Sequence, residues 1–166
     1  MVAVEQDHKH NETGTYMALK NAMDLTKNPP RSIRVRLGGY VLLPRMLDKC
    51  RATIAGTNGE YNYACPMDEY FFDFTGVDPE KLKKQVASGK GDGDLLLWIQ
   101  KNSKTPRTEF EIAGWSAWLE QRAPSVVESR EFYHGAHAKI APKREDISTW
   151  FDLLDLDDYS SFGGQV

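Results

Sequence analysis

The sequence predicts a mainly α, single-domain bundle of six or seven mostly short helices, with at most a minimal β pair. Three observations predict it. Apolar residues recur at helical spacing, most clearly Leu43, Met46, Leu47, Cys50 and Ile54. Capping pairs mark helix starts: Thr108 with Glu111, Ser125 with Glu128, and Asp78 before Pro79. Proline and glycine punctuate the pattern, with Pro66 opening a helix and Gly76, Gly89, Pro124 and Pro142 following helix ends.

Composition fits one ordinary globular domain: 166 residues, 40% hydrophobic and 27% charged. A chain of this length buries a core without needing disulfides or metals. The net charge of -3 gives no bulk attraction to nucleic acid, and the basic segment has Tyr40 but no interleaved aromatics for stacking bases. No apolar run approaches the ~20 residues of a membrane helix. The first residues lack the basic-then-apolar pattern of a signal peptide, so the expected location is the cytoplasm. Cys50 and Cys65 are expected to be free thiols there.

Taken in order, residues 1–12 read as a polar, disordered tail, and 13–159 as the helical domain. A short helix fits 15–23. The Pro29-Pro30 pair forces an extended connector, and 32–37 is an extended approach to the central stretch. In 37–56, LGGYVLLPRMLDKCRATIAG, the apolar stripe faces the core while Arg45, Asp48, Lys49 and Ala52 fall on the opposite face. Pro44 either starts this helix or kinks one that begins at Gly39. Residues 56–59 form a turn, and Tyr61 and Tyr63 alternate with polar residues in a short extended piece. Helices follow at 66–74, from Pro79 to about 88, and at 95–102, the last capped by the Asp92/Asp94 pair. The two boxes start helices that end near Arg122 and Ala141, and Asp146 caps the final one, with Ile147, Trp150, Phe151 and Leu154 inward. Residues 160–166 read as a second polar tail.

DLTKNPPRS, RVRLGGYVLLPRMLDKCRA, GEYNYACPMDEYFFDFTGVD and GKGDGDLLLWI resemble the bacterial DUF5069 family, a domain of unknown function. The resemblance runs from Asp24 to about Tyr159. It implies a small cytoplasmic bacterial protein and supplies no catalytic residue. Ile33 stands where the family tends to have Pro, and Cys50 where it tends to have Ala or Gly, so Cys50 is a poor candidate for family-wide chemistry.

The residues themselves suggest four sites. Gly38 and Gly39 would lead into a helix with free N–H groups beside Arg34 and Arg36, with Arg45 and Lys49 adding charge: an anion site. Its plain competitor is pairing of these cations with Asp48 or with the acidic C-terminal helix. Cys65, just before Pro66, would sit at a helix N-terminus as a candidate nucleophile, opposed by Asp68 and Glu69. Glu131 with His134, and His137 nearby, has metal-ligand spacing but points away from the core stripe. Trp118, beside Gly114, would line a pocket or a helix contact. The 89–94 loop lacks the endings of phosphate and calcium loops. No metal or cofactor is therefore expected.

The function expected first is binding of a small anionic molecule near Arg36, Gly38, Gly39, Arg45 and Lys49, with Tyr63 and Trp118 nearby. The alternatives are an enzyme using Cys65 or Asp68, and an interaction module or homodimer in which the basic helix meets the acidic one.

Overall fold

A computed structural model describes residues 22–166. The expected N-terminal tail and nearly all of the expected 15–23 helix lie outside those residues. Seven helices are described: α1 (Leu43–Ala55), α2 (Pro66–Thr75), α3 (Pro79–Ala87), α4 (Asp92–Asn102), α5 (Glu109–Glu120), α6 (Val127–Ile140) and α7 (Trp150–Ser161). The fold is mainly α, as expected, and no described helix is long and apolar enough to cross a membrane.

Helix α1 is the centre. Leu43, Met46, Leu47 and Cys50 are fully buried in a core that includes Phe71, Leu82, Leu95, Ile99, Leu119 and Phe151. The opposite face, expected to hold an anion or to pair with acidic residues, is also buried: Arg45 is 4% exposed, Asp48 8% and Lys49 4%. Periodicity correctly placed these residues away from the apolar stripe. It could not show that other elements close over that side too. Pro44 falls in the first turn, where its missing N–H costs no hydrogen bond, so α1 starts there and is not kinked.

Gly38 and Gly39 do not lead into a helix. Both have positive φ, 58° and 85°, and Leu37 and Tyr40 exchange backbone hydrogen bonds of 3.1 Å, closing a two-residue hairpin turn. The positive φ favours glycine, and a Cβ on Gly38 would lie 2.6 Å from Leu96 Cδ1, so the Leu96 side chain would also have to shift. This turn is the one β bridge among the described residues, and Tyr61 and Tyr63 are in no strand. Buried Ser116 of α5 pins the turn by donating to the Gly39 carbonyl (2.9 Å) and accepting from Val41 N–H (3.3 Å). The Tyr40 ring then packs edge-on against Phe71, Phe74 and Trp115.

Leu42 joins the turn to α1 at φ 69°, ψ -36°, with Leu43 N–H donating to the Val41 carbonyl at 2.7 Å. That is a γ-turn of the strained hand. A leucine there costs on the order of 1–3 kcal/mol, held in place by complete burial of its side chain.

Other boundaries shift for local reasons. Asp92 and Asp94 lie inside the first turn of α4 rather than before it. Helix α6 starts at Val127 because Ser129 Oγ, not Ser125, closes on Val126 N–H (3.2 Å). Helix α7 is capped by Thr149 in a box with Asp152, and Asp146 pairs with Arg144 instead.

Arg31 ties the approach segment to α1 and α4. It donates to both oxygens of Asp48 (2.9 and 2.7 Å) and to Asp92 (2.6 Å), and Arg51 also reaches Asp92 (2.7 Å). Burial works against ionisation of Asp92, but the hydrogen bonds from Arg31 and Arg51 outweigh it and hold its pKa below the ordinary value.

Two outcomes are expected. Gly38→Ala loses about 1–3 kcal/mol in urea unfolding, since it meets both an unfavourable φ and Leu96; an unchanged midpoint would refute the requirement for glycine. Asp92→Asn loses roughly 1–2 kcal/mol near neutral pH, the half-exposed setting limiting the loss. Because the folded pKa is depressed, this stabilisation is present above the unfolded value of about 3.9 and disappears as pH falls through the lower folded value. Wild type and variant should therefore converge in strong acid.

Candidate functional site

The second face of α1 meets three oppositely charged partners from three places in the chain. Asp48 receives Arg31. Arg45 forms a two-pronged pair with Asp158 of α7, at 2.5 and 3.1 Å, and its guanidinium lies 5.4 Å from the Tyr61 ring centre. Tyr61 donates its hydroxyl to the same carboxylate at 2.7 Å. Lys49 Nζ donates to Asp68 Oδ1 at 2.8 Å and to Cys65 Sγ at 3.2 Å. The pairing of the basic stretch with the acidic helix thus occurs within one chain, and Arg34 adds contacts to Asp152 and Asp155.

The local chain explains how Cys65 reaches Lys49. Ala64 adopts a left-handed φ of 56°, turning the backbone just before α2. Cys65 is the N-cap of α2 with Pro66 at the first position, and its thiol makes no capping bond, so the sulfur is left to face α1. Asp68, one turn on, is completely buried. Desolvation raises its pKa, and the charge and hydrogen bond of Lys49 oppose that rise. Backbone amides of Cys65 and Ala64 also face the carboxyl, yet Oδ2 closes no hydrogen bond of good geometry.

A cleft of about 720 Å³ opens beside this cluster, bounded by α1, the loop after it and α7. Leu42, Arg45, Lys49, Tyr61, Cys65 and Leu154 are among its walls. Strained Leu42 is in its wall and left-handed Ala64 directly precedes Cys65, and backbone strain is commonly held at ligand sites. A second cavity, about 520 Å³ and largely apolar, lies on the far side of Cys65.

The model of DUF5069, described as a domain of unknown function, matches residues 27–160. The chain belongs to that family. No curated protein matches it. The DUF5069 region contains Arg45, Lys49, Cys65, Asp68 and Asp158, whereas Leu25, Thr26, Ser161 and Phe162 at the cleft lip fall outside it.

Of the residues singled out in the sequence, Arg45, Lys49, Cys65 and Asp68 of the DUF5069 domain come together. The others do not join them. Arg36 pairs with Glu120 at 3.0 Å. Gly38 and Gly39 pack against Leu96 and Ile112. Tyr63 turns its hydroxyl to the Pro79 carbonyl, 2.8 Å away, with its ring edge-on to Phe72. Trp118 is half-exposed, packed edge-on to Tyr70 with Arg122 over both rings. Burial raises the Cys50 thiol to about 12, which leaves it a core residue. Sequence reasoning missed the cleft roles of Tyr61, Leu42 and Asp158. The alternation of Tyr61 and Tyr63 was a weak signal for the first; nothing local marks the other two.

Lys49→Met is expected to cost about 3–5 kcal/mol, because it strands a buried carboxylate. Adding Asp68→Asn should recover much of that loss in a double-mutant cycle. The single variant should also regain stability in acid: burial has raised the Asp68 pKa, so its protonated form suits the fold and stability falls as pH rises through that value. Additive losses in the cycle would show that the pair is not coupled.

Proposed function

We propose that this DUF5069 domain binds a small molecule bearing an anionic group in the cleft beside Lys49 and Cys65. One observation carries the reading: a nearly buried lysine borders a cavity of ligand size. An ammonium has three protons, and among the described residues Lys49 uses two of them, on Asp68 and Cys65. The third is the donor for a ligand oxygen. Arg45 is committed to Asp158, so Lys49 is the anchoring cation and Arg45 shapes the wall. This moves the site away from Arg36, Gly38 and Gly39. Tyr61 supplies an aromatic face and Leu154 an apolar one, a mixed lining typical of small-molecule sites. The proposal includes a reducing, cytoplasmic setting, supported by two cysteines that are both free thiols.

A thermal-shift screen of phosphate, sulfate and small mono- and dicarboxylates tests the reading. At least one anion should raise the midpoint of wild type in a concentration-dependent way, as mass action requires. Tyr61→Leu should weaken that response, while Arg36→Ala, far from the cleft, should leave it intact. No response to any anion, or loss of response only in Arg36→Ala, would refute the proposal.

A further inference from the structure

The two cavities share a wall. Cys65, Met67 and Leu154 line both the polar cleft and the apolar groove beyond it. The groove is finished by Pro66, Tyr70, Val126, Phe132 and Trp150, of which Val126 is 56% and Phe132 68% exposed. Apolar side chains left open along a groove of this size favour an apolar occupant. A molecule with its polar end at Lys49 and its tail in the groove passes its middle over Cys65.

We propose that Cys65 is an acyl-accepting nucleophile for medium-chain acyl esters or thioesters. Such compounds have the disposition the two cavities require: an apolar chain, an electrophilic carbonyl, then a polar leaving group. In the step, Cys65 Sγ bonds to the acyl carbon as the bond from that carbon to the leaving oxygen or sulfur breaks. The thiol proton goes to the leaving group, so the products are the S-acyl protein and the free alcohol or thiol. Lys49 Nζ, 3.2 Å from the sulfur, is placed to stabilise negative charge that develops during attack, and Asp68 holds the ammonium there. Nucleophile, charged partner and orienting carboxylate therefore stand in one chain of contacts, with a chain-binding groove on one side and a head-group cleft on the other.

This inference rests on the reading of the cleft as a binding site, and its test separates the two. Wild-type protein is incubated with 4-nitrophenyl octanoate and, separately, 4-nitrophenyl acetate. Adducts are followed by intact-protein mass spectrometry and mapped by peptide digestion, with rates normalised to those of N-acetylcysteine. The expected result is one octanoyl group on Cys65, formed at least about tenfold faster than the acetyl adduct. Cys65→Ala should abolish it. Phe132→Ser, at an exposed groove position, should reduce the octanoyl rate severalfold and lower the ratio of octanoyl to acetyl rates. Equal normalised rates for the two chains, or acylation at lysines or Cys50 in place of Cys65, would overturn the proposal. If anions still raise the melting midpoint in that case, the cleft stands as a binding site and only the acyl chemistry fails. If Cys65 takes octanoate while no anion has any effect, the acyl proposal stands and the anionic head group is removed.

Discussion

The structure depends on burying a charged helix face. Arg45, Asp48 and Lys49 of α1 are taken almost wholly out of water, and each would be expensive there alone. Each is compensated by a different part of the chain: Asp158 from α7, Arg31 from the approach segment, Asp68 from α2. A helix with apolar residues on one side and paired charges on the other can sit at the centre of a small domain and still be packed all round. The charges also impose register. α2, α7 and the 31–37 segment meet α1 where their carboxylates or guanidinium pair with it, and a shifted register would leave those buried charges unpaired.

The same constraint makes the site. Because Asp68 is fixed beneath Lys49, the N-terminus of α2 is drawn against α1, and Cys65 arrives beside the ammonium. Asp158 ties α7 both to α1 through Arg45 and to the loop after α1 through Tyr61, and the cleft opens beside these bonds. The backbone conforms to this arrangement with two uncommon residues, Leu42 and Ala64, both at positive φ and both at the edges of the cluster. Neither belongs to a helix, so each absorbs the angular mismatch between helices that are otherwise regular.

How much was legible in the sequence follows from the range of the forces involved. Helices α2, α3 and α5 declare themselves through prolines, caps and glycine stops within a few residues, and the structure places them close to the expected bounds. The last two helices show where local signals mislead: Ser125 and Asp146 are acceptable caps by type, but Ser129 and Thr149 have the better geometry for the bonds actually made. The Gly-Gly pair is another such case. Two glycines suit a helix approach and a hairpin turn equally, and the choice was made by Ser116, more than seventy residues away, holding the Gly39 carbonyl and Val41 amide at once.

By itself the sequence determined the class of the fold, the central importance of α1, the inward stripe that contains Cys50, and the family. These rest on periodicity and short-range capping, which any single helix carries within its own residues. Only the tertiary structure decided the rest. It chose buried ion pairs for the basic face, separated Arg36 and the glycines from Arg45 and Lys49, and set Cys65 between a polar cleft and an apolar groove. The physical reason is that an Arg, a Lys and a Cys look alike in sequence whether they face water, a carboxylate or a cavity. Their partners lie 16 to 113 positions away, at Cys65 and Asp158, and burial fixes which of them meet.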